Sequence, residues 1–248
     1  MRTSLWPGLI QALLYNQNRQ CERVRLFEIG LVFTRKESGL CQQGKLGGVA
    51  AGPAYQQWGI ARRAMDFYDL KGDVEALLAL AGLSPAFEFK PIKHPALHPG
   101  QAAQIERQGT PIGLMGALHP FVTGELGIEG PVFLFEMDLE AVIQSELPRF
   151  KSLSKFPLVE RDISIVLDQE ISASQVIHCL RKASPEVLKD LQLFDLYHGE
   201  GIDPGKKSLA LRLIFQGTSS TLIEKDVDAI LESLLVRLSR ELGANLRS

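Results

Sequence analysis

The sequence has few of the features that mark a secreted or membrane-spanning protein. Its three cysteines, Cys21, Cys41 and Cys179, include no CxxC pair, so we expect reduced thiols rather than disulfides or metal ligands. No apolar run approaches the roughly 20 residues of a membrane-spanning helix. The first residues also lack the pattern of a signal peptide. We therefore predict a cytoplasmic protein without a membrane partner.

The sequence also lacks the excess of basic residues that is typical of a nucleic-acid binder. It carries 27 Lys and Arg against 29 Asp and Glu, a net charge of −2 over 248 residues. Any RNA binding would therefore have to come from a local arrangement of side chains or from a partner chain. The 45% of apolar residues is ordinary for globular proteins and is enough for one large domain or two of average size.

Recognisable catalytic and metal-binding motifs are missing as well. There is no GxxxxGK[ST] phosphate loop and no GxSxG serine elbow. The five histidines offer no HxxxH or His-x-Glu pair on a predicted helix; they are His94, His98, His119, His178 and His198. We accordingly predict no catalytic residue, no metal ligand and no cofactor site in this chain.

The first part of the chain alternates short strands with few helices. Apolar periodicity predicts helices over 4–19 and 65–82. Strands are predicted over 23–33, 45–52, 87–92, 101–109 and 111–120, and a strand passing into a short helix over 132–143. Short connections between many strands favour a mostly antiparallel sheet. We place a first domain at 1–147, a second at 148–248 and a linker at about 144–157, where prolines interrupt the pattern.

The second part has the element order β-α-β-β-α-β. A strand at 161–168 leads to a helix at 172–184, a hairpin at 191–198 and 207–216, a long helix ending at Gly243 and a short last strand. Thr221 and Glu224 have the spacing of a capping box for the long helix. This order predicts a ferredoxin-like fold, so the whole chain is assigned to the α+β class. The polar side of the hairpin presents Asp195, Tyr197, Ser208 and Arg212.

Several segments together resemble the C-terminal part of the β subunit of bacterial phenylalanyl-tRNA synthetase. They cover almost the whole chain in constant order: "RTSLWPGLIQALLYNQNR" (2–19), "RLFEIGLVF" (25–33), "DFYDLKGDVEALL" (66–78), "LHPGQAA" (97–103), "KFPLVERDISIVLD" (155–168) and "LFDLYHGEGIDPGKKSLALRLIFQ" (193–216). The resemblance implies that the first domain has the fold of a class II synthetase core, mostly antiparallel, and that the second is a ferredoxin-fold anticodon-binding domain.

The family resemblance also implies how the two domains work. The β subunit's copy of the core is inactive in this family and packs against the α subunit in an α2β2 assembly, while ATP and magnesium are bound elsewhere in the parent complex. Arg25 and Glu28, in the strand that resembles an ATP-binding motif, are therefore expected to be structural or interface residues. In the second domain, Asp195, Tyr197 and Ser208 fall on base-contacting positions for the anticodon of phenylalanine tRNA. Lys206, Lys207 and Arg212 are expected near its phosphates.

Two alternatives stay open at this point. The first domain could be an active class II-type ligase, which detectable ATP binding would favour. The second domain could instead be a regulatory module that holds an amino acid against Asp195, Tyr197 and Arg212. Thermal stabilisation by free amino acids but not by tRNA would favour that function.

Overall fold

The computed structural model describes residues 1–36, 39–80, 87–144, 154–183, 186–218 and 220–247. The chain divides into two compact units, Met1–Arg149 and Phe150–Ser248, called the first and second unit below. The linker predicted at about 144–157 falls mostly on residues 145–153, which lie outside the described residues. The domain boundary at 147 and 148 therefore stays a prediction.

The first unit is built on a six-stranded antiparallel sheet. Its strands β1 (Val24–Lys36), β2 (Gly39–Ala51), β3 (Phe87–Pro91), β4 (Leu97–Arg107), β5 (Thr110–Leu118) and β6 (Val132–Asp138) lie in the order β1-β2-β6-β5-β4-β3. Its helices are α1 (Trp6–Gln17), α2 (Phe67–Leu80), α3 (Pro120–Glu125) and α4 (Leu139–Ile143). The predicted mostly antiparallel sheet is confirmed.

Both faces of this sheet carry a buried apolar layer because successive side chains of a strand point to opposite sides. Phe133, Phe135 and Met137 of β6 pack with helix α2. Val132 and Leu134 of the same strand pack with α1 on the other side. Strand β1 lies at the edge of the sheet, next to β2 alone.

The second unit has the predicted βαββαβ order. Its elements are β7 (Leu158–Asp168), α5 (Ala173–Ala183), β8 (Leu188–Tyr197), β9 (Lys206–Gln216), α6 (Glu224–Leu242) and β10 (Asn245–Leu246). The antiparallel sheet has the order β10-β7-β9-β8, so β8 is an edge strand. The ferredoxin-like fold predicted from the sequence is confirmed.

The two helices of the second unit cover only one face of its sheet. Alternate residues of β9, among them Leu209, Leu211 and Leu213, are fully buried with Val176 of α5 and Leu234 of α6. The residues between them point away from the helices. We call this second side, opposite α5 and α6, the open face.

One predicted helix cap is wrong. Helix α6 begins at Glu224 with Ile223 as its N-cap, so Thr221 and Glu224 cannot form the capping box. The carboxylate of Asp226 instead accepts a hydrogen bond from the Ile223 backbone N–H at 3.4 Å. The end of the helix is as predicted: Gly243 lies at φ 61°, in the left-handed region that glycine adopts without strain.

Candidate nucleic-acid interface

A β-bulge in β8 decides which of its side chains reach the open face. Leu193 pairs with Leu211 and Asp195 pairs with Ala210, so Phe194 is an extra residue without a partner in β9. An extra residue in one strand reverses the sides to which the following side chains point. Asp195 therefore lies on the open face, and it would face the helices if the strand were regular.

The same bulge keeps the leucines of β8 on the helix side. Leu191, Leu193 and Leu196 pair with Leu213, Leu211 and Leu209, all of which are buried on that side. Tyr197 pairs with Ser208 and so follows Asp195 onto the open face. The hairpin thus separates a leucine side from a polar side, as its sequence predicts.

Asp195 is exposed, and its cross-strand neighbour Ala210 is too small to cover it. Within the described part of the chain, its carboxylate takes part in no ion pair or side-chain hydrogen bond. Both carboxylate oxygens can therefore accept hydrogen bonds from a ligand.

Tyr197 is held in place from two directions. Its hydroxyl donates a hydrogen bond to the backbone oxygen of Glu200 at 3.1 Å. The guanidinium carbon of Arg247 lies 5.2 Å from the centre of its ring, within the range of a cation–π contact. Tyr197 is 36% exposed, so part of the ring remains open to solvent.

Ser208 points to the open face but is buried among its neighbours. It is only 2% exposed, and its Oγ lies 3.3 Å from Oγ of Ser164 on the neighbouring strand β7. A direct contact between Ser208 and a base would need the side chains around it to move. Its predicted contact with a base stays a prediction.

The structure does not bring all three predicted phosphate-binding residues to the open face. Lys206 pairs with Asp168 and lies on the open face, where it donates to Asp203 at 2.8 Å and lowers the pKa of that carboxyl. Lys207 pairs with Leu167, which is buried on the helix side, and its Nζ donates to the backbone oxygen of Gln169. A phosphate contact by Lys207 would have to be made away from the open face, at the start of β9.

Arg212 lies on the open face but is engaged within the protein. Its Nε and Nη2 each donate to Asp162 at 2.8 Å, and Glu160 lies 3.5 Å away. This two-bond contact raises the pKa of Arg212 and lowers the pKa of Asp162. The guanidinium carbon also lies 5.8 Å from the centre of the Phe194 ring. Arg212 is thus held by its own strand neighbours.

Sequence reasoning missed two residues of this face, Phe194 and Arg247. The spacing of Leu191, Leu193 and Leu196 indicates the bulge. Residues on one side of a regular strand recur every two positions, whereas Leu193 and Leu196 are three positions apart. Arg247 follows directly after β10, and its backbone N–H donates to Ser164 at 2.8 Å. Its place beside β7 puts it within reach of Tyr197, two strands away.

The residues that suggested an ATP-binding motif do not share a face in the first unit. Arg25 pairs with Ala50 on the α2 side and makes an ion pair with Asp73 of α2. Glu28 pairs with Gly47, where an added Cβ would lie 3.3 Å from Leu5 and Leu9 on the α1 side, and it makes a 2.7 Å ion pair with Arg2. These two side chains cannot hold one nucleotide together, so they do not fit an ATP site.

Among the residues that the structure describes, no cluster of three or more His, Cys, Asp or Glu side chains is placed to hold a metal ion. No described helix combines the length and the apolar character needed to cross a bilayer.

The open sheet face and the helix-backed second unit define the class of this protein. It combines an antiparallel sheet unit with a ferredoxin-like unit whose two helices cover one side of its sheet. Family models agree: residues 1–139 match the "Phenylalanyl tRNA synthetase beta chain CLM domain" and residues 154–247 match the "Ferredoxin-fold anticodon binding domain". The chain belongs to the phenylalanyl-tRNA synthetase beta chain family.

Curated relatives match the chain over its whole length. The "Phenylalanine--tRNA ligase beta subunit" of Pseudomonas fluorescens is 48% identical over 248 residues, and that of Nitrosococcus oceani is 49% identical over 249. Each match covers 100% of this chain and 31% of the relative, so the chain spans about a third of their length. Among solved structures, Desulfitobacterium hafniense PylSc, a pyrrolysyl tRNA synthetase, has a TM-score of 0.42 at 15% identity, covering 58% of this chain and 49% of its own. A likeness of that extent supports no functional assignment.

The Asp162→Asn variant should be slightly less stable to unfolding than wild type at neutral pH, and this difference in stability should disappear in acid. Because Arg212 lowers the pKa of Asp162, the pair's contribution to stability is fully present above the unfolded-state pKa of about 4. It disappears as the pH falls through the lower folded-state pKa. The difference in urea unfolding midpoint between wild type and variant should therefore shrink below about pH 4. A difference that stays constant down to pH 3 would contradict this assignment.

Proposed function

We propose that the second unit binds the anticodon loop of phenylalanine tRNA on its open face. The observation that carries the proposal is the exposed carboxylate of Asp195, which lies beside Tyr197 on the sheet face opposite α5 and α6. Unpaired bases are typically recognised by stacking on aromatic rings and by hydrogen bonds to their edges. The family match to an anticodon-binding domain supports the same ligand.

Asp195 is suited to reading guanine, the first base of the phenylalanine anticodon. The Watson–Crick edge of guanine offers two adjacent donors, N1–H and N2–H₂, and a carboxylate has two acceptor oxygens and no donor. Adenine presents an acceptor at N1, which a carboxylate would repel. Tyr197 can stack the same base, since base–aromatic stacking contributes about 1–3 kcal/mol.

We expect this chain on its own to bind RNA weakly. Arg212 and Lys206 are already paired with Asp162 and Asp203, so neither side chain presents a free charge to a phosphate. The net charge of −2 adds no general attraction for RNA. Most of the affinity of the parent enzyme for tRNA would then come from its other parts.

The first unit is proposed to be a non-catalytic module that contacts the α subunit in an α2β2 assembly. Arg25 and Glu28 point to opposite faces, which supports a structural role for both. Phe27 (75% exposed), Ile29 and Leu31 lie on the α2 side of the edge strand β1, where no described residue covers them. The name "beta subunit" of the relatives implies a partner chain, and an exposed apolar row beside an open strand edge fits one.

The parent reaction would lie elsewhere in the assembly. We propose that this chain supports the attachment of phenylalanine to its tRNA in the cytoplasm, with ATP and magnesium bound outside it. Its own contribution would be to position the tRNA and to maintain the assembly.

The first unit should bind the α subunit of the same synthetase and should not bind ATP. The chain is expected to co-elute with the α subunit, and Ile29→Asp should weaken that complex at least tenfold by placing a charge in the contact. Phe121→Asp changes another exposed apolar residue, on α3, and serves as the control (Phe121 is 70% exposed and Ile29 58%). A thermal shift with millimolar ATP and magnesium, or unchanged co-elution of Ile29→Asp, would contradict this part of the proposal.

Asp195→Asn should abolish the preference for guanine at the first anticodon position. The wild-type chain is expected to bind the phenylalanine anticodon stem-loop about tenfold more tightly than the same loop with adenine in that place. The asparagine amide has only one acceptor oxygen and turns a donor toward the guanine, so the ratio of the two dissociation constants should fall to about one. Titration at low salt measures both constants.

Asp190→Asn is the matched control for this experiment. Asp190 is an exposed carboxylate on the same strand and the same face, paired with Ile214 at the other end of the sheet. Its replacement should leave the guanine preference unchanged. Equal loss of preference in both variants would point to general electrostatics instead of recognition by Asp195.

A further inference from the structure

The ring of Phe194 is the largest apolar group of β8 that the proposed reading of guanine leaves without a role. It is 56% exposed although it lies within a strand of a folded sheet. The contact with Arg212, which is on the open face, shows that the ring lies on that face. Single exposed apolar residues are common on protein surfaces, so it is the position of this ring beside Asp195 that suggests contact with a ligand.

The bulge makes Phe194 a direct neighbour of Asp195 on the same face. In a regular strand, consecutive side chains point to opposite sides, so a residue next to Asp195 in sequence would face the helices. Here both residues of the bulge oppose Ala210 alone. The carboxylate therefore has an aromatic ring on each side along the strand, Phe194 before it and Tyr197 after it.

Arg212 fixes the position of the Phe194 ring. Two hydrogen bonds of 2.8 Å to Asp162 hold the guanidinium, which in turn lies over the ring. A ring that is already held in place loses little freedom when a ligand stacks on it. The ring surface that Arg212 does not cover remains open to solvent.

We propose that Phe194 is a second base-stacking position, which binds the second base of the same anticodon while Asp195 reads the first. This inference rests on the proposed function of the open face and extends it from one nucleotide to two. Stacking on an aromatic ring is tolerant of base identity because every base has a π face. Phe194 should therefore contribute affinity without changing the preference for guanine at the first position.

The test uses the whole chain and an anticodon stem-loop that carries 2-aminopurine at the second anticodon position. The fluorescence of this adenine analogue should fall on binding if it stacks on the ring. Phe194→Ala should weaken binding about tenfold and remove that fluorescence change. Phe194→Tyr, which keeps an aromatic ring, should retain both.

Leu196→Ala is the matched control. Leu196 is similarly exposed and lies two residues away, but it pairs with Leu209 on the helix side of the sheet. Its replacement should leave both the affinity and the fluorescence change as in wild type. Equal effects of Phe194→Ala and Leu196→Ala would overturn the second stacking position, since they would report general damage to the edge strand.

The outcomes separate this inference from the proposed function itself. If Asp195→Asn removes the guanine preference but Phe194→Ala changes neither affinity nor fluorescence, the open face reads the anticodon and Phe194 is not a stacking position. If the wild-type chain shows no guanine preference and no binding at low salt, both proposals fail together. If Phe194→Ala removes the fluorescence change with the guanine preference intact, the second stacking position is established.

Discussion

One extra residue in β8 determines which side of the sheet each of the following side chains of that strand takes. Because Phe194 interrupts the pairing between Leu193 and Asp195, the leucines on either side of it lie on the helix side of the sheet while the carboxylate lies on the open face. In a regular strand with this sequence Asp195 would lie on the helix side, two residues after Leu193. The sides taken by the leucines and by the proposed RNA-binding residues therefore depend on the same local irregularity.

The open face is organised by contacts between arginines and aromatic rings rather than by free positive charge. Arg212 contacts Phe194 while it is bound to Asp162, and Arg247 contacts Tyr197. Such pairing leaves little net charge for long-range attraction of a phosphate backbone. It does hold flat rings at the surface in defined positions, where stacking would add affinity for any base and Asp195 would provide the selection between bases. A module that acts within a larger assembly can rely on other parts of that assembly for affinity.

The fold was predictable from the sequence because its signals are periodic and local. Apolar spacing of three and four residues indicated the helices that became α2, α5 and α6, and Gly243 marked the end of α6 correctly. The candidate RNA-binding site was less predictable because it depends on the register in which the strands pair. The bulge at Phe194, the burial of Ser208 and the reach of Arg247 across two strands all arise from strand pairing, which no single segment reveals. The Thr221 cap was wrong because Asp226 provides a competing acceptor close to the start of the helix.

The most direct test of the central claim is a map of backbone amide chemical shifts of the ¹⁵N-labelled chain during titration with the phenylalanine anticodon stem-loop. The account predicts shifts in β7, β8 and β9 and at Arg247, centred on Phe194, Asp195 and Tyr197, with α5 and α6 unaffected. Shifts centred on the two helices or on the first unit, with β8 unchanged, would contradict it.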